Sequence, residues 1–308
     1  MKMEPSAKYA VPHRMETRLR NATRPPLNFP TPGANTMTTP THISFIGGGN
    51  MASAIIGGLI KQGTPASHIL VVEPFEQARQ RLQTQFGVRV LASADASLNE
   101  AGLVIWAVKP QTFKEAAQQT RDFCTQALHL SVAAGIRSDS IATWLGSERI
   151  VRAMPNTPAL VGLGQTGLFA RAAVTTADKN WIEQVIATTG ALLWVKDEPL
   201  LDAVTAISGS GPAYVFFFIE AMVEAGVKMG LTAEQATQLA IGTFEGASQL
   251  AKTASEPPSV LRERVTSKGG TTYAALTSMQ ITHVGDLFQT ALKAAQQRAH
   301  ELGNEFGS

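Results

Sequence analysis

From His42 onward the chain alternates short apolar runs with amphipathic stretches of helical period. The runs at 43–46, 69–73, 88–91, 103–108, 128–133 and 150–152 predict strands, and the stretches 51–62, 77–86, 112–123 and 140–145 predict helices between them. Strands that are apolar at nearly every position are buried on both faces. The β-α-β rhythm therefore predicts a parallel sheet with helices on both sides. Residues 167–170 and 192–195 read as later strands around a helix at 179–188. Past Asp197-Glu198-Pro199 the strand pattern stops, and 212–229, 233–253, 259–264, 272–280 and 284–302 all read as helices. The expected division is an N-terminal extension at 1–40, an α/β domain at 41–198 and an all-α domain at 199–308.

Composition changes this picture at one end only. Hydrophobic residues make up 44% and charged residues 16% of the 308, which suits two compact cores. The formal charge of +2 hides an asymmetry. Residues 1–36 carry six basic and two acidic side chains, a net +4, and the other 272 residues carry −2. Six of the 16 prolines also lie in this stretch, which has no periodic apolar positions and is expected to be disordered. Three readings of it stand: an upstream start codon with Met37 as the working start, a basic targeting peptide, or a nucleic-acid arm. The first is preferred, because Met37 lies just before the first strand and no apolar signal core precedes it. The longest strongly apolar run, 213–219, ends at Glu220, so no membrane span is expected. The lone Cys124 permits no internal disulfide and suits a reducing, cytoplasmic setting. None of the six histidines stands at metal-ligand spacing, so no metal is expected.

Candidate chemistry begins where the first strand meets the first helix. Gly47-Gly48-Gly49-Asn50-Met51-Ala52 fits the pattern G-x-G-x-x-G/A in the context that gives it meaning. Gly47 permits a tight turn, Gly49 lets a pyrophosphate approach, and Ala52 allows close helix–strand packing. Ile46 to Ala52 are thus candidate cofactor contacts in a Rossmann-like, doubly wound domain. Glu73, at the end of the second strand, is placed to accept the ribose 2′-hydroxyl of NAD, whereas Arg79 and Arg81 nearby suit the 2′-phosphate of NADP. The choice between NAD and NADP stays open. A second motif lies near the other end. In Thr266-Ser267-Lys268-Gly269-Gly270-Thr271-Thr272 a glycine pair and two threonines open a helix, a seat for a small anion.

Several segments together resemble the pyrroline-5-carboxylate reductase family. Beside the glycine turn these are Ala107-Val108-Lys109-Pro110-Gln111, Ser131-Val132-Ala133-Ala134-Gly135, Arg152-Ala153-Met154-Pro155-Asn156-Thr157-Pro158, Ser208-Gly209-Ser210-Gly211-Pro212-Ala213-Tyr214 and the 266–272 loop. The resemblance spans about 41–303. It departs at Lys268, where many members have proline, and at Ala94, where some members use an asparagine against the cofactor. It implies reduction of Δ1-pyrroline-5-carboxylate to L-proline with NADPH or NADH, the last step of proline biosynthesis. It also implies a homodimer of interlocked helical domains, or a ring of dimers, with a small-molecule substrate and no nucleic-acid or membrane partner.

On this resemblance the substrate carboxylate sits on Ser267, Gly269, Gly270, Thr271 and Thr272, with Thr272 as the catalytic candidate that orients the ring nitrogen. Glu198 matches a position near the substrate, although helix capping explains it equally well. Ala107, Val108, Lys109 and Pro110 pass the cofactor ribose at a strand's carboxyl end, with Lys109 facing either ribose or solvent. Val132, Ala133 and Ala134 lie against the nicotinamide or simply pack a strand, and Asn156 belongs to a stiff loop beside it. The Gly-Pro pair at 211–212 reads as a helix start, with Ser210 or Gly211 as its cap. Two rivals keep parts of this scheme: a β-hydroxyacid-type dehydrogenase, which needs a flanked catalytic lysine absent around Lys228 and Lys252, and a non-catalytic NAD(P)-binding regulator.

Overall fold

Residues 42–307 are described by a computed structural model, and the expected N-terminal extension lies outside them. The strands are β1 His42–Ile46, β2 Ile69–Val72, β3 Arg89–Leu91, β4 Ala101–Trp106, β5 Leu128–Ser131, β6 Ile150–Met154, β7 Gly164–Ala170 and β8 Gly190–Trp194. Between them run helices α1 Asn50–Lys61, α2 Glu76–Phe86, α3 Pro110–Thr120, α4 Ser138–Leu145 and α5 Thr176–Ala187. All eight strands form one sheet in the order β3-β2-β1-β4-β5-β6-β7-β8.

Successive strand residues serve opposite faces, and both faces are covered. Phe45, Leu103 and Ile105 pack with Ile55, Ile56, Leu59, Leu82 and Ile182 of α1, α2 and α5. Their neighbours Ile46, Val104 and Trp106 pack with Phe113, Ile141 and Trp144 of α3 and α4. This double burial is why the strands read as continuous apolar runs. One part of the sheet departs from the expected parallel arrangement. β7 is antiparallel to β6, because the link between them holds only a 3₁₀ turn, Thr157–Val161, and no crossover helix. β8 then returns parallel to β7 by way of α5.

The chain continues as helices only: α6 Leu200–Val204, α7 Gly211–Lys228, α8 Ala233–Thr253, α9 Pro258–Arg264, α10 Thr271–Ile281 and α11 Val284–Glu305. The helix start expected at Gly211-Pro212 is present, with Ser210 at the N-cap position and Pro212 in the first turn, but another helical stretch leads directly into it. α6 runs through a π-helical turn, Thr205–Gly209, into α7, so that Leu200–Lys228 is one helical rod. Ser210 is itself helical (φ −85°, ψ −15°) and makes no side-chain cap. Its N–H reaches back five residues to the Thr205 carbonyl at 2.8 Å. Widening the turn in this way absorbs Pro212, which has no N–H to offer the ladder.

The rod is long and apolar enough to cross a membrane, with a mean hydropathy of 1.4 over its best window, and only 6% of that window is buried. Phe216, Phe217, Met222 and Val227 on it, with Leu239, Ile241 and Leu250 on α8, are exposed. The end of α11 does find cover. Gly303 lies against the Arg137 guanidinium, and a Cβ there would come within 2.7 Å of Nε. The Ser140 hydroxyl donates to the Gly307 carbonyl at 2.7 Å, so the helix is moored beside the start of α4.

Candidate active site

The glycine turn is built as its residue types require. Gly47 has φ +95°, and a Cβ there would lie 2.6 Å from the Ala107 carbonyl oxygen, so no side chain fits between β1 and β4. The Gly47 N–H donates to the Val72 carbonyl at 2.8 Å, and the Ala107 N–H to the Ile46 carbonyl at 2.8 Å. Gly49 is the N-cap of α1 and has open space where its Cβ would be. No side chain caps α1, so the amides of Asn50 and Met51 begin the helix without a side-chain acceptor, while Ala52 is fully buried. Glu73, 7% exposed, closes the turn from β2: its Oε2 accepts from the Gly48 N–H at 2.8 Å and its Oε1 from the Phe75 N–H at 3.0 Å.

Strand order reverses between β1 and β4, and the expected cofactor residues gather along that carboxyl edge. Ala107 and Val108 follow β4, with Lys109 as the exposed N-cap of α3 and Pro110 its first residue. Val132, Ala133 and Ala134 follow β5 next door, and the Val132 N–H donates to the Trp106 carbonyl at 3.1 Å. Asn156 lies after β6 but has internal partners. Its Nδ2 donates to the Ser208 carbonyl at 3.0 Å, and its Oδ1 accepts from the Gln165 N–H at 2.9 Å. It therefore braces the 154–158 loop against β7 and the π-helical turn. Gly209 completes that contact, since a Cβ on it would meet Met154 Cε at 2.5 Å.

Glu198 also has internal partners. One oxygen accepts from the Ser138 N–H and from Arg152 Nη1, both at 2.6 Å, and the other from the Ser138 hydroxyl at 2.6 Å. It caps a helix, as one sequence reading had it, but the helix is α4 and not its own. Arg152 is nearly buried, and burial pulls its pKa down against the opposing pull of Glu198. A charged residue inside the apolar strand Ile-Val-Arg-Ala-Met was the sequence signal for such a pair. Arg137, Asp202 and His300 form a second polar cluster beside it that the sequence reading passed over, with Arg137 Nη2 at 3.0 Å from Asp202 and 3.1 Å from His300 Nδ1.

The 266–272 loop is a β-turn feeding α10. Gly269 takes φ +74°, and the Gly270 N–H donates to the Ser267 carbonyl at 3.0 Å. That bond removes Gly270 from the expected amide donors, because the turn itself uses the N–H. Gly270 is the N-cap of α10 and no side chain caps the helix, so the Thr271 and Thr272 amides begin it without a side-chain acceptor. Thr271 is exposed and Thr272 half-buried. Among the described residues, no hydrogen bond or ion pair joins this loop to the carboxyl edge of the sheet. Nor does any cluster of three or more His, Cys, Asp or Glu stand ready for a metal ion.

Known proteins carry the same organisation. Residues 198–302 match the family described as pyrroline-5-carboxylate reductase dimerisation, and residues 42–135 match the family described as NADP oxidoreductase coenzyme F420-dependent. The pyrroline-5-carboxylate reductase of Pseudomonas aeruginosa is 43% identical over 273 residues, covering 88% of this chain and all of that protein. The chain belongs to the pyrroline-5-carboxylate reductase family. The Haemophilus influenzae member is 41% identical over 271 residues, covering 86% of this chain and 98% of its own length. The solved pyrroline-5-carboxylate reductase of Coxiella burnetii superposes with a TM-score of 0.79 at 39% identity, over 85% of this chain and 98% of that one. The Plasmodium falciparum pyrroline carboxylate reductase, solved with NADP bound, superposes with a TM-score of 0.76 at 27% identity, over the same shares.

As a pyrroline-5-carboxylate reductase family member, the chain is an NAD(P)H-dependent oxidoreductase. Its own residues fit such a cofactor. The open face of Gly49, the uncapped start of α1 and the side-chain-free approach at Gly47 leave room and donors for a pyrophosphate. The small residues 132–134 leave the edge of the sheet free of bulky side chains where a flat ring would lie.

Proposed function

We propose that this reductase converts Δ1-pyrroline-5-carboxylate to L-proline, the closing step of proline biosynthesis. The observation that carries this is the α10 start, where two threonine amides and two threonine hydroxyls stand behind a tight Ser267–Gly270 turn. A helix N-terminus with unsatisfied amides and a partial positive charge suits a carboxylate, and the Ser267 hydroxyl adds a donor. The Thr271 and Thr272 amides, with Gly269, hold the acid group, and the Thr272 hydroxyl orients the ring nitrogen. When bound, the reduced nicotinamide supplies the hydride that the imine carbon accepts. The chain's part is proximity and electrostatics: the 132–134 turn positions the flat ring, and α10 positions the acceptor. The proton on nitrogen arrives with the iminium substrate or passes through Thr272, whose hydroxyl is too weak an acid to protonate the imine alone.

Because the loop makes no bond to its own sheet edge, the site is completed by the loop of a second copy. The exposed apolar faces of α7 and α8 form the contact between copies, which supports a homodimer or a ring of dimers. In this scheme the nucleotide part ends near 198, the enzyme works in the cytoplasm, and neither membrane nor nucleic acid is a partner.

The test follows oxidation of NADH and of NADPH with pyrroline-5-carboxylate, each against a blank without imine, with proline measured as product. Oxidation that depends on the imine and yields proline is expected. Silence with both donors refutes the assignment.

A further inference from the structure

We propose that Glu73 sets the dinucleotide preference of this chain, selecting NADH, with its free ribose 2′-hydroxyl, over the 2′-phosphorylated NADPH. The proposal rests on the glycine turn being a dinucleotide seat and adds which dinucleotide the seat favours.

Glu73 follows β2 and lies against the middle of the turn, where the adenosine ribose of a dinucleotide held by such a turn is placed. A Cβ on Gly48 would come within 3.3 Å of its Oε2, so carboxylate and turn are in direct contact. The carboxylate is also held in place, with one backbone amide, Gly48 or Phe75, on each oxygen at 2.8 and 3.0 Å. A carboxylate has about four acceptor positions, so each oxygen keeps capacity for one more donor. A ribose hydroxyl is such a donor. A 2′-phosphate brings only acceptor oxygens and close to two negative charges at neutral pH, and it meets an anion that the fold keeps in position.

The donors nearest that position already hold the carboxylate and the turn. The Gly48 and Phe75 amides bind Glu73. Arg79 Nη1 donates to the Glu73 and Pro74 carbonyls at 2.8 and 2.6 Å, and Arg81 Nη2 donates to the Gly48 carbonyl at 3.1 Å. Arg79 thus braces the loop that carries the carboxylate and Arg81 the glycine turn beside it, which accounts for both without a phosphate. A solved relative at 27% identity holds NADP, so the preference belongs to these residues and not to the fold.

Direct binding to the full chain, read by NADH and NADPH fluorescence, tests this without turnover. The dissociation constant for NADH is expected to be at least about tenfold below that for NADPH. Glu73→Gln keeps an acceptor for the Gly48 amide but removes the charge, and should shrink the ratio by bringing NADPH closer to NADH. Should that variant lose the turn and bind neither, displacement of NADH from the unmodified chain decides: 5′-AMP should compete better than adenosine 2′,5′-bisphosphate. Equal or tighter NADPH binding, an unchanged ratio in Glu73→Gln, or stronger competition by the bisphosphate would overturn the proposal alone. Failure of the unmodified chain to bind either dinucleotide would overturn the seat as well.

Discussion

Glu198 accepts both the backbone N–H and the hydroxyl of Ser138, each at 2.6 Å, and so ties the chain two residues before the helical rod to the first residue of α4. The same carboxylate neutralises Arg152 inside the sheet. Removing it takes the direct ion-pair partner from a nearly buried guanidinium, leaving only the more distant Asp202 charge, and uncaps α4. Glu198→Ala is therefore expected to lose about 3–5 kcal/mol of unfolding free energy, measured by urea titration. At a temperature where the variant remains folded, its KM for the imine acid should change little. A large rise in KM with unchanged stability would instead place Glu198 at the substrate.

Thr272 is expected to act on turnover and not on the cofactor. Thr272→Val keeps the shape and removes the hydroxyl, and the loss of one orienting hydrogen bond should lower kcat by about tenfold or more. The dissociation constant for NAD(P)H should stay where it was. Near-full kcat in this variant would remove the hydroxyl from the mechanism.

Gly47→Ala should abolish dinucleotide binding. Its φ of +95° disfavours any L side chain, and the new methyl would be driven into the Ala107 carbonyl at 2.6 Å. The cost in stability is expected to be about 1–3 kcal/mol, visible as a lowered Tm. Unchanged binding of both NADH and NADPH would show that the turn is not the seat.

His129 gives the fold a pH dependence on the acid side. Its ring is buried in β5 and Nδ1 accepts from the Trp106 indole at 3.2 Å. Burial, helped by the Arg149 charge, holds its pKa down at about 4 against 6.5 for the free side chain. Between those values the unfolded chain binds more protons than the folded one. Stability therefore falls as pH drops through that window and is fully present above it. The whole effect is on the order of 3 kcal/mol. Urea titrations at pH 7 and pH 5 should show a smaller acid loss in His129→Asn than in the unmodified chain. Equal losses in both would assign the effect to other groups.

Cys124 should be silent in the native state. Burial first, and the nearby Asp122 second, push its thiol up to about 12, so little thiolate exists at pH 8. A thiol reagent is expected to label the chain only after denaturation. Rapid labelling of the folded protein would contradict the packing around α3.

Much of this molecule was written in local pattern. Continuous apolar strands, the glycine turn between β1 and α1, and the small residues after β5 announced the sheet and the turns along its carboxyl edge, because period, φ requirement and side-chain size act within a few neighbours. The antiparallel β7 could not be read in that way, since strand direction depends on where a short link lets the chain go. The uses of Asn156 and Glu198 were equally hidden. Each residue type was right for a ligand contact, but a polar atom takes whichever partner the folded chain places within reach, and those partners lie 52 residues away for Asn156 and 60 for Glu198. What the order of residues determined by itself was the set of elements and the turns that demand glycine. The tertiary structure decided which polar groups remain free to meet a ligand, because burial drives most of the others to a partner inside the fold.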